Sequence, residues 1–115
     1  MAEIGIIEKF HASHGTNSHE HDFKVEIVLE GKIDKKTEFV CGIDHYQIIS
    51  EVKKIISTIE NKNLKDILSN LDYQSSCNES IAKFFLEQLK EKFPVKCVKV
   101  METEDRYALI YSNEL

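Results

Sequence analysis

Residues 10–23 read FHASHGTNSHEHDF and hold four of the five histidines in the chain. The middle of this segment, GTNS at residues 15–18, consists of residues that favour turns. From Phe23 to Leu29, apolar side chains at every second position alternate with mostly charged ones, which is the period of a half-buried β-strand. The sequence therefore predicts a β-hairpin with strands at residues 4–14 and 19–29.

The length of the turn sets the register of this hairpin and the direction of its histidines. A four-residue turn places His14 opposite His19 and Ala12 opposite His21. Because side chains alternate along a strand, His14, His19 and His21 then share one face, while His11 points to the other. Three imidazoles on one face of a hairpin lie close enough to converge on a single ion.

The three same-face histidines predict a zinc site. Zinc bound by His14, His19 and His21 keeps a fourth position for water or substrate, which is typical of catalytic zinc. No cysteine lies in this segment to close the site as a fourth ligand. The competing interpretation is an exposed hairpin tip that carries histidines by chance.

Two helices are predicted between the hairpin and the C-terminal part of the chain. The first follows Asp44, its N-cap, and has isoleucines at helical spacing over residues 48–59. Residues 60–77 are polar and predict a loop with one helical turn at residues 64–68. The second helix is expected to begin with Asn78 as its cap.

The C-terminal part predicts two more strands. Pro94 ends the second helix, and strands are expected at residues 95–102 and 106–112. The order ββααββ defines an α+β fold, a four-stranded antiparallel sheet with both helices on one face. Residues 1–115 are expected to form a single domain.

Charge and composition argue against several classes of partner. The chain has 15 Lys and Arg against 20 Asp and Glu, a formal charge of -5, so no basic field attracts nucleic acid or an anionic membrane. Arg106 is the one arginine, which makes bidentate phosphate contacts scarce. Without a signal peptide or apolar span, and with three scattered cysteines, the chain is expected to be soluble and cytoplasmic.

Several segments resemble the 6-pyruvoyltetrahydropterin synthases and the 6-carboxytetrahydropterin synthases of queuosine biosynthesis. Residues 10–14 resemble the F-x-A-x-H zinc segment of that family, and residues 19–23 resemble H-G-H-x-[YF] with Glu20 in place of glycine. Residues 76–82 are similar to P-T-x-E-N-L-A, and residues 100–103 are similar to V-x-E-T. The resemblance spans nearly the whole chain.

The resemblance implies the tunnelling fold, a zinc-dependent lyase activity and a pterin substrate, dihydroneopterin triphosphate. It assigns the zinc to His14, His19 and His21. Glu102 becomes the anchor of the pterin ring, with Thr103 beside it. The resemblance also implies a homo-oligomer, a trimer closing into a barrel or two trimers stacked into a hexamer.

Both proton-transfer groups of the family depart from its pattern. The family cysteine that precedes H-x-H is missing, because residues 15–18 contain no thiol. The Asp-His pair of L-D-H-x-x-L-N is replaced by Glu60 and Asn61, and asparagine does not titrate as histidine does. A substitute base needs only a suitable pKa and reach. The candidates are Glu60, Glu20, His45 and His11.

Three explanations for these departures stay open. Another residue has become the base, or the chain is a dihydroneopterin aldolase-like enzyme, or the site is catalytically degenerate and binds a pterin or zinc without turnover. Outside this family, the alternative interpretation is a non-enzymatic binding or assembly module. The cysteines at positions 41, 77 and 97 are each interpreted as structural.

Overall fold

The alternating apolar residues of the predicted hairpin form the inner face of an antiparallel sheet. The computed structural model describes residues 1–114, and within them the strand order is β1-β2-β3-β4. The elements are β1 (Ala2–His14), β2 (His19–Gly31), α1 (His45–Ser57), α2 (Leu64–Asn70), α3 (Asn78–Leu89), β3 (Val95–Thr103), β4 (Arg106–Tyr111) and a 3-10 turn (Ser112–Glu114). The predicted α+β class and antiparallel sheet are confirmed.

The register of the first hairpin is the one that the sequence predicts. His14 pairs with His19, and Ala12 pairs with His21. Gly15 opens the turn with a φ of 89°, a left-handed conformation that glycine adopts without steric cost. The three histidines therefore emerge on the face that the helices cover.

The helices differ from the prediction in number and in one cap. α1 begins at the predicted capping box of Asp44 and Gln47. The expected single turn at residues 64–68 is a seven-residue helix, α2, because Leu64 and Leu68 are one turn apart and both fully buried. Two leucines are too few to show helical periodicity in the sequence. The predicted cap of α3 was wrong: Asn78 is the first helical residue, and Cys77 is the N-cap.

Aromatic rings fill the core directly beneath the hairpin. Phe10 stacks on Phe23 with ring centroids 5.1 Å apart and also contacts Phe85 of α3 at 5.7 Å. All three side chains are at most 2% exposed. The hairpin is thus anchored to α3 by burial of large apolar surfaces.

The opposite face of the sheet carries charges and exposed aromatic groups. Lys99 pairs with Glu26 at 3.8 Å and lies 4.2 Å over the ring of Tyr107. Ile7 and Tyr107 are each 58% exposed on this face.

Within residues 1–114, no helix is long and apolar enough to cross a membrane.

The segment before α2 covers the end of the outer edge of β1. Asn61 donates its backbone N–H to the carbonyl of His11 at 2.6 Å, and Ser13 donates to the carbonyl of Lys62 at 3.1 Å. This pairing brings α2 beside the tip of the hairpin, where the histidines are.

Candidate metal centre

Three imidazoles and one carboxylate converge at the tip of the hairpin. Oε2 of Glu102 lies 2.9 Å from Nε2 of His14, 3.2 Å from Nε2 of His21 and 3.8 Å from Nε2 of His19. The four groups can each offer one ligand atom within 4.8 Å of the others. His14 is buried and His21 is partly buried, while His19 is exposed.

Backbone carbonyls fix the ring orientation of two of these histidines. Nδ1 of His14 lies 2.7 Å from the carbonyl oxygen of Ser76, and Nδ1 of His19 lies 3.1 Å from that of Asn17. A carbonyl oxygen only accepts, so each Nδ1 carries the proton. The lone pair of each neutral ring is then on Nε2, the atom that points into the cluster. Carbonyl partners of this kind are typical of metal-binding histidines.

The facing groups of the cluster require a cation between them. A neutral His14 directs a lone pair at the accepting carboxylate oxygen of Glu102, so a proton or a metal ion must join the two. Burial lowers the pKa of His21, which favours the neutral ring that a metal needs. Burial alone would raise the pKa of Glu102, but its hydrogen bond with the His14 ring lowers it, so the carboxylate stays ionised. The donor set fits a divalent transition metal.

Glu102 reaches the cluster because of the register of β3. Val100 pairs with the buried Val25 of β2, and alternate residues of a strand share a face. Glu102 therefore lies on the same face as the histidines and only 13% of its side chain is exposed. The sequence analysis assigned Glu102 to the pterin ring and not to the metal, whereas the structure places its carboxylate among the three histidines.

A cavity of about 710 Å³ opens onto the cluster. One wall is α2 and the loop after it, and another is the N-terminal end of α3. Its lining residues include His14, Gly15, Thr16, His19, His21, Lys65, Ser69, Tyr73, Gln74, Ser75, Ser76, Cys77, Asn78, Glu79, Glu102 and Arg106. The volume is that of a small-molecule site.

Three of the four candidate bases, Glu60, Glu20 and His11, do not line this cavity. Glu60 accepts the backbone N–H of His11 at 2.8 Å, so its carboxylate ties the turn after α1 to β1. Glu20 lies on the opposite face of the hairpin, 3.4 Å from Nε2 of His11. Nδ1 of His11 lies 2.7 Å from Asp22. The structure thus places His11 in ion pairs with Glu20 and Asp22 and ties Glu60 to the backbone of His11, and none of these side chains joins the metal cluster.

His45 and Thr103 are also placed outside the cluster. His45 is the exposed first residue of α1, next to Tyr46, which lines a surface depression with Lys92. The chain after Lys92 joins the end of β2 that is away from the histidines, where the backbone N–H of Glu30 donates to the carbonyl of Pro94. Thr103 donates its hydroxyl to Asp105 at 2.6 Å and so stabilises the turn after β3.

The sequence prediction missed the segment before α3. Ser76 is 3% exposed; its carbonyl holds His14, and its hydroxyl accepts the backbone N–H of Gly15 at 2.9 Å. Oδ1 of Asn78 is buried and accepts no hydrogen bond within residues 1–114. The only signal in the sequence was the resemblance of residues 76–82 to a family motif, since hydroxyl and amide residues before a helix are common caps.

Comparisons with known proteins agree with this fold. The family model for 6-pyruvoyl tetrahydropterin synthase matches residues 5–113. A proposed 6-carboxy-5,6,7,8-tetrahydropterin synthase of Archaeoglobus fulgidus is 29% identical over 116 residues, covering 93% of each chain. The human 6-pyruvoyl tetrahydrobiopterin synthase is 27% identical over 111 residues, covering 94% of this chain and 75% of the human protein.

The solved structure of Caenorhabditis elegans 6-pyruvoyl tetrahydropterin synthase superposes with a TM-score of 0.85. It is 18% identical in sequence and covers 96% of this chain and 95% of its own, which shows a shared fold. The chain belongs to the 6-pyruvoyl tetrahydropterin synthase family.

Proposed function

We propose that this protein is a zinc-dependent lyase that acts on a dihydropterin, with dihydroneopterin triphosphate as its substrate. The observation that carries the proposal is the convergence of three Nε2 atoms on one carboxylate oxygen inside a cavity of small-molecule size. Membership of the 6-pyruvoyl tetrahydropterin synthase family supports the pterin as the substrate class.

His14, His19 and His21 are the proposed zinc ligands. Bound zinc supplies Lewis acidity toward oxygen atoms of the substrate side chain. The carbonyl of Ser76 holds the ring of His14, so the ligand that is most buried is also the one most firmly oriented.

Glu102 is the proposed anchor of the pterin ring. A carboxylate accepts two N–H donors side by side, and the pyrimidine part of a pterin presents such a pair. The low exposure of the Glu102 side chain strengthens this interaction because water competes less.

The cations of the cavity suit an anionic substrate tail. Scarcity of arginine argued against phosphate recognition, yet the one arginine, Arg106, lines this cavity together with Lys65. Each can pair with a phosphate oxygen. The placement of these two side chains supports a phosphorylated substrate.

Metal analysis and a pterin titration test the proposal. Protein purified without an affinity tag should contain one zinc per chain and bind neopterin. His14→Ala should lose the zinc, whereas His11→Ala, the matched control on the opposite face of the hairpin, should keep it. Retention of stoichiometric zinc by His14→Ala would contradict the assigned ligand set.

The reaction is tested by product analysis on the zinc-loaded protein with dihydroneopterin and with its triphosphate. The lyase should form a carboxy- or pyruvoyl-pterin from the triphosphate. Release of glycolaldehyde would instead identify an aldolase-like enzyme. Bound zinc and neopterin without any of these products would identify a catalytically degenerate binding module.

The proposal includes a cytoplasmic homo-oligomer that closes the sheet into a barrel. The edge of β1 from Ala2 to Lys9 and the edge strand β4 both have pairing capacity, and the sheet face between them exposes Ile7 and Tyr107. Proteins usually cover or pair such edges. Sedimentation should show a trimer or hexamer, and a stable monomer at micromolar concentration would contradict it.

A further inference from the structure

We propose that the thiol of Cys77 is the catalytic base that removes a proton from the pterin substrate. The inference rests on the proposed function and names the group that takes the place of the family's missing cysteine. Sequence analysis interpreted Cys77 as structural. The structure instead places it on the wall of the metal cavity.

Cys77 is directly attached to the residue that orients a proposed zinc ligand. The preceding Ser76 holds both His14 and the backbone of Gly15. The position of Cys77 relative to the cluster is therefore fixed through one peptide unit. Cys77 is exposed within the cavity wall, so its sulfur is accessible to a bound molecule.

The surroundings of the sulfur favour its thiolate form. The hydroxyl of Ser75 donates to Sγ at 2.9 Å, and the hydroxyl of Ser80 lies 3.3 Å from Sγ. Cys77 is also the N-cap of the twelve-residue helix α3, where the helix dipole favours negative charge. Burial acts in the other direction, but the hydrogen bonds from Ser75 and Ser80 bring the pKa of the thiol below its ordinary value.

A second polar group in the same wall points to a ligand. Asn78, the next residue, lines the cavity, and its buried Oδ1 has no donor within residues 1–114. Leaving a buried acceptor unpaired is costly. A pterin, which is rich in N–H donors, supplies what this oxygen lacks. Asn78 also hydrogen-bonds to Glu102, so Cys77 and Asn78 adjoin the side chain that anchors the pterin in the proposed function.

The proton transfer balances with groups already named. An S–H bond forms as a C–H bond of the substrate side chain breaks next to the ring. The C–H electron pair forms a double bond between the side-chain carbon and the ring carbon. The π electron pair of the ring C=N bond moves to its nitrogen, which gains a proton from water. The thiol then returns its proton to solvent, so no oxidant or reductant is consumed.

Alkylation of the zinc-loaded protein with iodoacetamide tests the position of the sulfur. Neopterin should protect Cys77 from modification and leave Cys41, which is exposed far from the cavity, unprotected. Peptide mass spectrometry measures both sites in one sample. Equal labelling of Cys77 with and without bound neopterin would overturn the inference.

Turnover of dihydroneopterin triphosphate tests the catalytic role. Cys77→Ser and Cys77→Ala should each lower kcat by about 10²- to 10⁴-fold, the usual contribution of a general base, with zinc content and neopterin affinity unchanged. Cys41→Ser is the matched control and should keep full activity. A fully active Cys77→Ser, or loss of turnover in Glu20→Gln alone, would overturn the role of Cys77.

These outcomes separate the inference from the proposed function. Wild-type protein that turns over while Cys77→Ser stays fully active defeats only the inference. Wild-type protein that forms no product defeats the lyase function, and the catalytic role falls with it. The turnover of the wild type and of Cys77→Ser, measured side by side, shows which of the two has failed.

Discussion

Replacement of Glu102 by glutamine separates two roles that the structure allows for this side chain. Its carboxylate lies among the imidazoles, 2.9 Å from His14 and 3.2 Å from His21, so it could serve as a metal ligand or as a pterin anchor. Glutamine keeps the shape but removes the charge and exchanges one acceptor for a donor. We expect Glu102→Gln to keep zinc, because three imidazoles remain, and to lose pterin affinity.

The magnitude follows from the low exposure of the side chain. Glu102 is 13% exposed, so solvent screens its interactions little. A hydrogen bond to a charged group contributes about 1.5–3 kcal/mol. Since each 1.4 kcal/mol is tenfold in affinity, the dissociation constant for neopterin should rise about 10- to 100-fold.

The assay is a neopterin fluorescence titration on tag-free, zinc-loaded protein, with zinc measured by mass spectrometry after dialysis. Glu104→Gln is the matched control, because Glu104 lies two residues further on and is exposed. It should change neither quantity. Loss of zinc from Glu102→Gln would make the carboxylate a metal ligand, and unchanged neopterin affinity would refute the anchor.

Three further predictions concern stability. Phe23→Ala should lower the free energy of unfolding, measured with denaturant, by about 3–5 kcal/mol, because the ring is fully buried. It should also weaken zinc binding, because the ring centroid of Phe23 lies 5.0 Å from that of His14. A variant as stable as wild type would contradict the core described above. Gly31→Ala should cost about 1–3 kcal/mol by overpacking, since its Cβ would lie 2.0 Å from Sγ of Cys41, and the double variant with Cys41→Ala should recover most of this stability. The pKa of Asp34 is lowered by hydrogen bonds from the backbone and hydroxyl of Thr37. The ionised carboxylate therefore stabilises the fold fully above the unfolded pKa of about 3.9, and this contribution is lost as pH falls through the folded pKa. The melting temperatures of wild type and Asp34→Asn should differ at neutral pH and converge in acid.

The sequence by itself determined the hairpin and the histidine face. A turn of four residues leaves one register, and in it the buried apolar side chains of both strands share one face. His14 and His19 are therefore paired by local geometry alone, as the structure confirms. The capping box of α1 was also predicted from the sequence, because Asp44 and Gln47 are only three residues apart.

Only the tertiary structure decided which distant groups join the histidines. Glu102 is 88 residues from His14, and Ser76 is 62 residues away. Their approach depends on the pairing of β3 with β2 and on the packing of α3 against the sheet. Such contacts come from burial of the whole apolar face, which local sequence patterns do not encode. For the same reason the carboxylates of Glu60 and Glu20 were suitable as bases by composition, yet the fold directs them to His11. The fold also brings Cys77, whose segment carried no signal beyond the resemblance of residues 76–82 to a family motif, to the wall of the cavity.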